Sequence, residues 1–145
     1  MNKKPSDEVV MAWVYLLKAQ NAAMGHVEAM FKKGGLPPFS WYDVLWELEK
    51  EDAVGLRQFQ LEERLLVSQY GLSRLLTRIE KAEYVERLPC SEDGRGHRVV
   101  ITRPGKKIRA KMWEVYSQAI NTAVGDRLSD KQCEQLKRLL ANLVD

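Results

Sequence analysis

Long apolar runs are missing from this sequence. None approaches the roughly 18 residues that a membrane-crossing helix needs, and Met1 to Pro5 are polar where an export signal would need an apolar segment. The protein is therefore expected in the cytoplasm, without a membrane partner. Cysteine is scarce: Cys90 and Cys133 are too few for a disulfide scaffold and lack the CxxC spacing of a zinc or redox site. Histidine is as scarce, with His26 and His97 alone, and of the four potential soft ligands only Cys90 and His97 are close in sequence. A zinc site needs three or four ligands at one locus, so no metal is expected. Nucleophile-base pairs, phosphate-binding glycine loops and carboxylate constellations are also absent, which leaves catalysis nothing to rest on, and no cofactor is implied.

What is present is one domain's worth of chain. Its 145 residues are 45% hydrophobic and 30% charged, which fits a globular protein able to bury a core without staples. The net charge of +3 is unevenly spread. Arg57 to Lys111 holds 13 Lys and Arg against 7 Asp and Glu, a net +6, so the flanks together carry −3. A basic middle between acidic or neutral flanks suits a polyanion-binding module held by a framework with another task.

Helical periodicity starts after Ser6, an N-cap followed by Asp7 and Glu8, and runs through Val10, Trp13, Val14, Leu17, Met24 and Val27 to Phe31. Such a helix of about 25 residues would be about 37 Å long, more than a small core can cover. Gly34, Gly35, Pro37 and Pro38 end it. A second helix is predicted from Ser40, with Asp43 completing a capping box, Phe39 and Val44 forming a hydrophobic staple, and Tyr42, Leu45 and Leu48 facing inward. A short helix over Arg57 to Leu66 buries Leu61 and Leu65. The next helix is predicted from an N-cap at Ser68, because Leu72, Leu75, Leu76 and Ile79 follow at i, i+3, i+4 and i+7. Its outer face would then present Gln69, Tyr70, Ser73, Arg74, Thr77, Arg78 and Lys81, a hydrogen-bonding and cationic surface suited to a major groove.

Tyr84 to Leu88 and Arg98 to Thr102 read as two strands around a polar, turn-rich tip, Pro89 to Gly96. Asp93, Arg95, His97 and Arg98 mark the tip, where cations can meet phosphates or a narrow minor groove. After Pro104 and Gly105 a helix is predicted to about Val124, with an apolar stripe from Ile108 to Ala123. A last helix starts at Ser129, which has capping-box spacing to Gln132, and carries Leu136, Leu139, Leu140 and Leu143 inside. The fold expected is mainly α with a small β-hairpin wing: a winged helix-turn-helix over 37–103, with dimerisation helices over 1–36 and 104–145.

This order of elements resembles the MarR/SlyA family of bacterial transcription regulators over nearly the whole chain. The segment SRLLTRIEKAEYVERL, running into SEDGRGHRVVITRPGKKI, resembles that family's recognition helix, Val-x-Arg strand, Asp-x-Arg wing and closing Leu-Thr-x-x-Gly. Arg87 falls at the strand arginine, Asp93 and Arg95 at the wing pair, and Thr102 and Gly105 at the closing Thr and Gly. The resemblance implies a homodimer on double-stranded DNA, with a recognition helix in each major groove and Arg95 at a minor groove or phosphate, its guanidinium held by Asp93. Glu83 departs from the family pattern, which has Gly before the aromatic that opens the wing. The peroxide-sensing branch uses a cysteine in the first helix, and none is present here.

The DNA-contact candidates are thus Ser68, Gln69, Tyr70, Ser73, Arg74, Thr77, Arg78, Asp93, Arg95, His97 and Arg98. The tryptophans at 13, 41, 46 and 113 read first as core anchors. The resemblance adds a cleft for a small aromatic or phenolic effector, with Trp13, Leu17, Trp41 and Leu45 as candidate lining. The function expected is a ligand-responsive repressor bound to a pseudo-palindromic operator. Two alternatives stand beside it: a winged-helix protein-protein adaptor, and a small-molecule-binding protein without operator binding.

Overall fold

Ser6 opens the first helix as expected: its Oγ accepts from Val9 N at 3.3 Å and its carbonyl from Val10 N at 3.1 Å. The computed structural model describes residues 3–66, 70–90 and 96–144. In chain order these form α1 (Asp7–Lys33), α2 (Phe39–Glu51), β1 (Leu56–Arg57), α3 (Gln58–Arg64), α4 (Leu72–Lys81), β2 (Val85–Pro89), β3 (His97–Ile101) and α5 (Arg103–Ile120). A π-helical turn (Asn121–Gly125) and α6 (Asp130–Ala141) follow. The chain divides into two units, one made of Met1–Met30 with Tyr116–Asp145 and the other of Phe31–Val115.

The second unit is a winged helix-turn-helix. Its antiparallel sheet has the order β1-β3-β2, with Val85 opposite Ile101 and Pro89 opposite His97 along the hairpin, and Leu56 opposite Val99 on the other edge. The buried cluster is Val44, Leu45 and Leu48 of α2, Leu61 of α3, Leu72, Leu75, Leu76 and Ile79 of α4, and Leu56, Val85, Val99 and Ile101 of the sheet. Each fully buried aliphatic side chain contributes about 1.5 to 3 kcal/mol, so α4's four anchors bind it firmly to the lobe.

Several expected boundaries are corrected. Helix α2 starts at Phe39, with Pro38 at the cap position and no side-chain cap, so Ser40 and Asp43 form no capping box. Asp43 is 2% exposed and instead accepts from Leu66 N at 2.9 Å, a bond across 23 residues that local spacing cannot reveal. The expected helix over Arg57 to Leu66 is shorter, because Leu56 and Arg57 pair with β3 as a third strand. Helix α4 starts at Leu72 after Gly71 (φ 80°), where the Gly71 carbonyl takes Arg74 N and Leu75 N; the predicted cap Ser68 lies outside the described residues. The hairpin strands begin one residue later and one earlier than expected, at Val85 and His97. Thr102 leaves the strand to cap α5, accepting Gly105 N at Oγ1 (3.1 Å) and Lys106 N at its carbonyl (3.0 Å).

In the first unit, α-helical geometry in α5 stops at Ile120 rather than near Val124, and the π turn follows. Ser129 and Gln132 form the expected capping box at the start of α6, with Gln132 N donating to Ser129 Oγ at 3.2 Å and Ser129 N to Gln132 Oε1 at 2.9 Å. The apolar stripes on α1 and α6 are largely uncovered. Trp13 is 61% exposed, and Leu139 and Leu143 are 66% exposed. With Val9, Leu16, Leu136 and Leu140 they border an apolar hollow of about 600 Å³.

Candidate nucleic-acid interface

Burial of Leu72, Leu75, Leu76 and Ile79 leaves the opposite face of α4 to solvent, and that face presents Ser73, Arg74, Arg78 and Lys81. Two guanidinium groups one helical turn apart, with a hydroxyl ahead of them, make a donor-rich strip of the kind that meets phosphates and guanine edges. Tyr70 is fully exposed but precedes the helix, in the turn before Gly71. Gln69, Asp93 and Arg95, like Ser68, lie outside the described residues.

Thr77 is half-buried and faces the wing rather than open solvent. Its Oγ1 donates to the Ser73 carbonyl at 3.0 Å and accepts Arg87 Nη1 at 3.3 Å. Arg87 also donates from Nη2 to the Ser73 carbonyl at 3.2 Å, and lies 3.5 Å from Glu80 Oε1. One side chain from β2 thus grips the first, middle and last turns of α4. The sequence places Arg87 on the strand, and the i, i+4, i+7 spacing of Ser73, Thr77 and Glu80 is the signal for this role.

Helix α4 hands over to the wing through a six-residue turn. Tyr84 N donates to the Ile79 carbonyl at 3.2 Å and Glu83 N to the Glu80 carbonyl at 2.8 Å, with Glu83 left-handed at φ 67°. This is the helix-ending geometry in which glycine is usual. Glu83 adopts it, so the departure noted in sequence changes the residue and not the turn. Thr102 Oγ1 donates to the Glu83 carbonyl at 2.6 Å, and Thr102 N to the Tyr84 carbonyl at 3.0 Å. Gly105 packs so tightly that an added Cβ would overlap the Tyr84 carbonyl and come within 2.8 Å of Ile101 Cγ1. The closing Thr-x-x-Gly is therefore the latch on the end of α4.

At the wing's base, His97 is exposed, whereas Arg98 turns back: its Nη1 donates to the carbonyls of Ala53 (3.2 Å) and Val54 (2.8 Å). Arg98 thus holds the loop before β1.

The candidate effector residues are placed singly. Trp13 borders the α1–α6 hollow, and Leu17 is exposed on α1. Leu45 is 0% exposed and belongs to the core, so its side chain is used for packing. Trp41 is half-buried against that core, edge-on to Tyr84 at 6.1 Å between centroids. A second hollow, of about 470 Å³, is bounded by Tyr42, Trp46, Arg109 and Trp113. Tyr42 and Trp113 stack there at 6.3 Å, and Arg109 lies over Trp46 at 5.1 Å with its buried Nε 2.8 Å from Glu49 Oε2, off the line of a hydrogen bond. Burial pushes the Tyr42 phenol above the usual tyrosine range, against the opposing pull of Arg109. Among the described residues no cluster of three His, Cys, Asp or Glu side chains could hold a metal. Nor, among the described residues, is any helix long and apolar enough to cross a membrane.

A sequence model of the MarR family matches residues 35–96. The HTH-type transcriptional regulator SarZ of Staphylococcus aureus is 26% identical over 106 residues, which cover 73% of this chain and 68% of that protein. Among solved structures, Sco3205, a MarR family transcriptional regulator from Streptomyces coelicolor in complex with DNA, superposes with a TM-score of 0.88 at 22% identity, covering 99% of this chain and 89% of that one. A mutant MarR from E. coli complexed with operator DNA superposes at 0.82 and 19% identity, covering 99% and 100%. The family match runs from the loop after α1 to the residue before β3, and the superpositions show that the chain has the winged helix-turn-helix fold of these regulators.

Proposed function

We propose that the protein is a sequence-specific DNA-binding transcriptional regulator, a homodimer that represses by occupying a pseudo-palindromic operator. The observation that carries this reading is the division of α4 into a buried leucine-isoleucine face and an exposed face of Ser73, Arg74, Arg78 and Lys81. An adaptor that binds protein would present an apolar or acidic face there. Two copies of α4 would sit about 34 Å apart, one helical turn of DNA. The uncovered apolar stripes of α1 and α6 support pairing through the terminal helices.

Ligand control is part of the proposal. The aromatic walls of the Tyr42, Trp46 and Trp113 hollow, with Arg109 at its edge, suit a small aromatic or phenolic effector better than the core position of Leu45 does. Such an effector shifts DNA affinity only as far as it prefers one spacing of the two lobes.

The test is a gel-shift titration on DNA flanking the protein's own gene, with Arg74→Ala and Arg95→Ala beside the parent. Each substitution is expected to weaken binding by about five- to 150-fold, at about 1 to 3 kcal/mol per arginine. Unchanged affinity in both would end the DNA-reading mechanism. Binding of benzoates or phenols without any DNA shift would favour a small-molecule-binding protein.

A further inference from the structure

In duplex DNA one sugar-phosphate strand separates the major groove, about 12 Å wide, from the adjoining minor groove, about 6 Å wide. A protein with a helix in the first and a wing in the second must leave a trough for that strand. The structure has such a trough, a hollow of about 550 Å³ lined by Ser73 of α4, His97 of β3, Arg57 and Arg87. Neither the recognition face nor the wing tip includes Arg57.

We propose that this trough seats a phosphate of the bound DNA strand and that Arg57 is its ligand, an inference that rests on the DNA-binding reading above. Arg87 adds charge, with its guanidinium on Ser73, Thr77 and Glu80. Arg57 comes to the hollow from the sheet. Its backbone is fixed twice, by the register opposite Arg98 in the sheet and by Arg57 N donating to Gln60 Oε1 at 2.9 Å. Its side chain reaches the root of the wing, where Nη2 lies 2.5 Å from the position a Cβ on residue 96 would take. The glycine at 96 leaves room for that end of the guanidinium. A guanidinium has five N–H donors in a planar fork that matches phosphate oxygens. Glu62, exposed on α3, is the carboxylate on this lining, and it repels an anion from its own part of the hollow.

A phosphate ligand has a signature that a base-reading residue lacks: it changes binding equally for all sequences and lowers the salt slope by about 0.9 per contact. The experiment measures fluorescence anisotropy against NaCl, using a duplex selected from a random pool and an unrelated duplex, for the parent, Arg57→Gln, Arg57→Lys and Arg74→Ala. Arg57→Gln is expected to weaken both duplexes by the same factor, roughly fivefold at about 0.15 M salt from counterion release alone, and to lower both slopes by about 0.9. Arg57→Lys is expected to keep the slope, and Arg74→Ala to weaken mainly the selected duplex. If the parent binds and Arg57→Gln leaves the slope unchanged, with or without a loss of affinity, the phosphate role is overturned while the DNA-binding reading stands. If the parent binds neither duplex, both fall. Inorganic phosphate at matched ionic strength is expected to act no differently from chloride; stronger displacement would assign the trough to free phosphate and overturn the proposal.

Discussion

Thr102 Oγ1 donates a 2.6 Å hydrogen bond to the carbonyl of Glu83, so the residue that starts α5 also holds the residue that ends α4. Glu83 has φ 67°, and Gly35 fills the same slot at the end of α1, with φ 66°, Leu36 N on the Phe31 carbonyl and Gly35 N on the Lys32 carbonyl. The two turns share one hydrogen-bond pattern. Only one uses the residue to which a left-handed backbone costs little.

Glu83→Gly is accordingly expected to stabilise the protein. Relief of left-handed strain is worth about 1 to 2 kcal/mol, reduced by the extra freedom glycine gives the unfolded chain. Chemical denaturation would show a higher midpoint with an unchanged slope. A midpoint at or below the parent's would mean that Glu83 is not strained.

Opening the latch should act in the other direction. Thr102→Val removes the cap of α5 and the Glu83 bond together and is expected to cost about 1 to 2 kcal/mol. Gly105→Ala drives a Cβ into the Tyr84 carbonyl and is expected to cost about 1 to 3 kcal/mol. If calorimetry finds both within the parent's error, the latch contributes nothing to stability.

Asp43 is the buried acceptor for Leu66 N, at the end of the first helix of the helix-turn-helix pair. Asp43→Ala would leave that N–H without its acceptor and is expected to cost about 1 to 3 kcal/mol. Amide exchange at Leu66 should quicken more than exchange across β3. Equal changes at both would show general destabilisation instead.

Arg87→Ala should separate orientation from charge. Its pair with Glu80 is about a third exposed, so solvent screening limits the stability loss to about 1 kcal/mol or less. The larger expected effect is on DNA, through a freed α4 whose Ser73 and Thr77 lose their strand partner. A tenfold loss of affinity for a selected duplex, with melting nearly unchanged, is the expected pattern. Parallel loss of both, or of neither, would remove the orienting role.

The parts legible in sequence were those set by local period. Leu72, Leu75, Leu76 and Ile79 announced α4, alternation around Val99 and Ile101 announced β3, and Ser129 with Gln132 announced the start of α6. What stayed hidden depends on distant partners. Two residues, Leu56 and Arg57, form a strand because β3 supplies its edge 41 to 43 residues later. Ser40 and Asp43 had the spacing of a cap, but a buried carboxylate with a tertiary partner outweighed it. Arg98 looked like a wing cation, yet the exposed carbonyls of Ala53 and Val54 hold its guanidinium. Glu83 was visible as an oddity, and only the backbone shows that the turn is kept.

The division of the chain also sets an order of assembly. Residues 31–115 are continuous and can close their core as soon as they leave the ribosome, whereas the other unit draws on both ends of the chain. Until residues 116–145 are made, the α1 face around Trp13 has no α6 to complete its hollow, at a stage when the lobe's own leucines are already covered. A chain stopped at Val115 is expected to keep amide protection in β3 and α4 and to lose it in α1. The segment made first would thus be the last to settle, and its apolar face the one most in need of a chaperone.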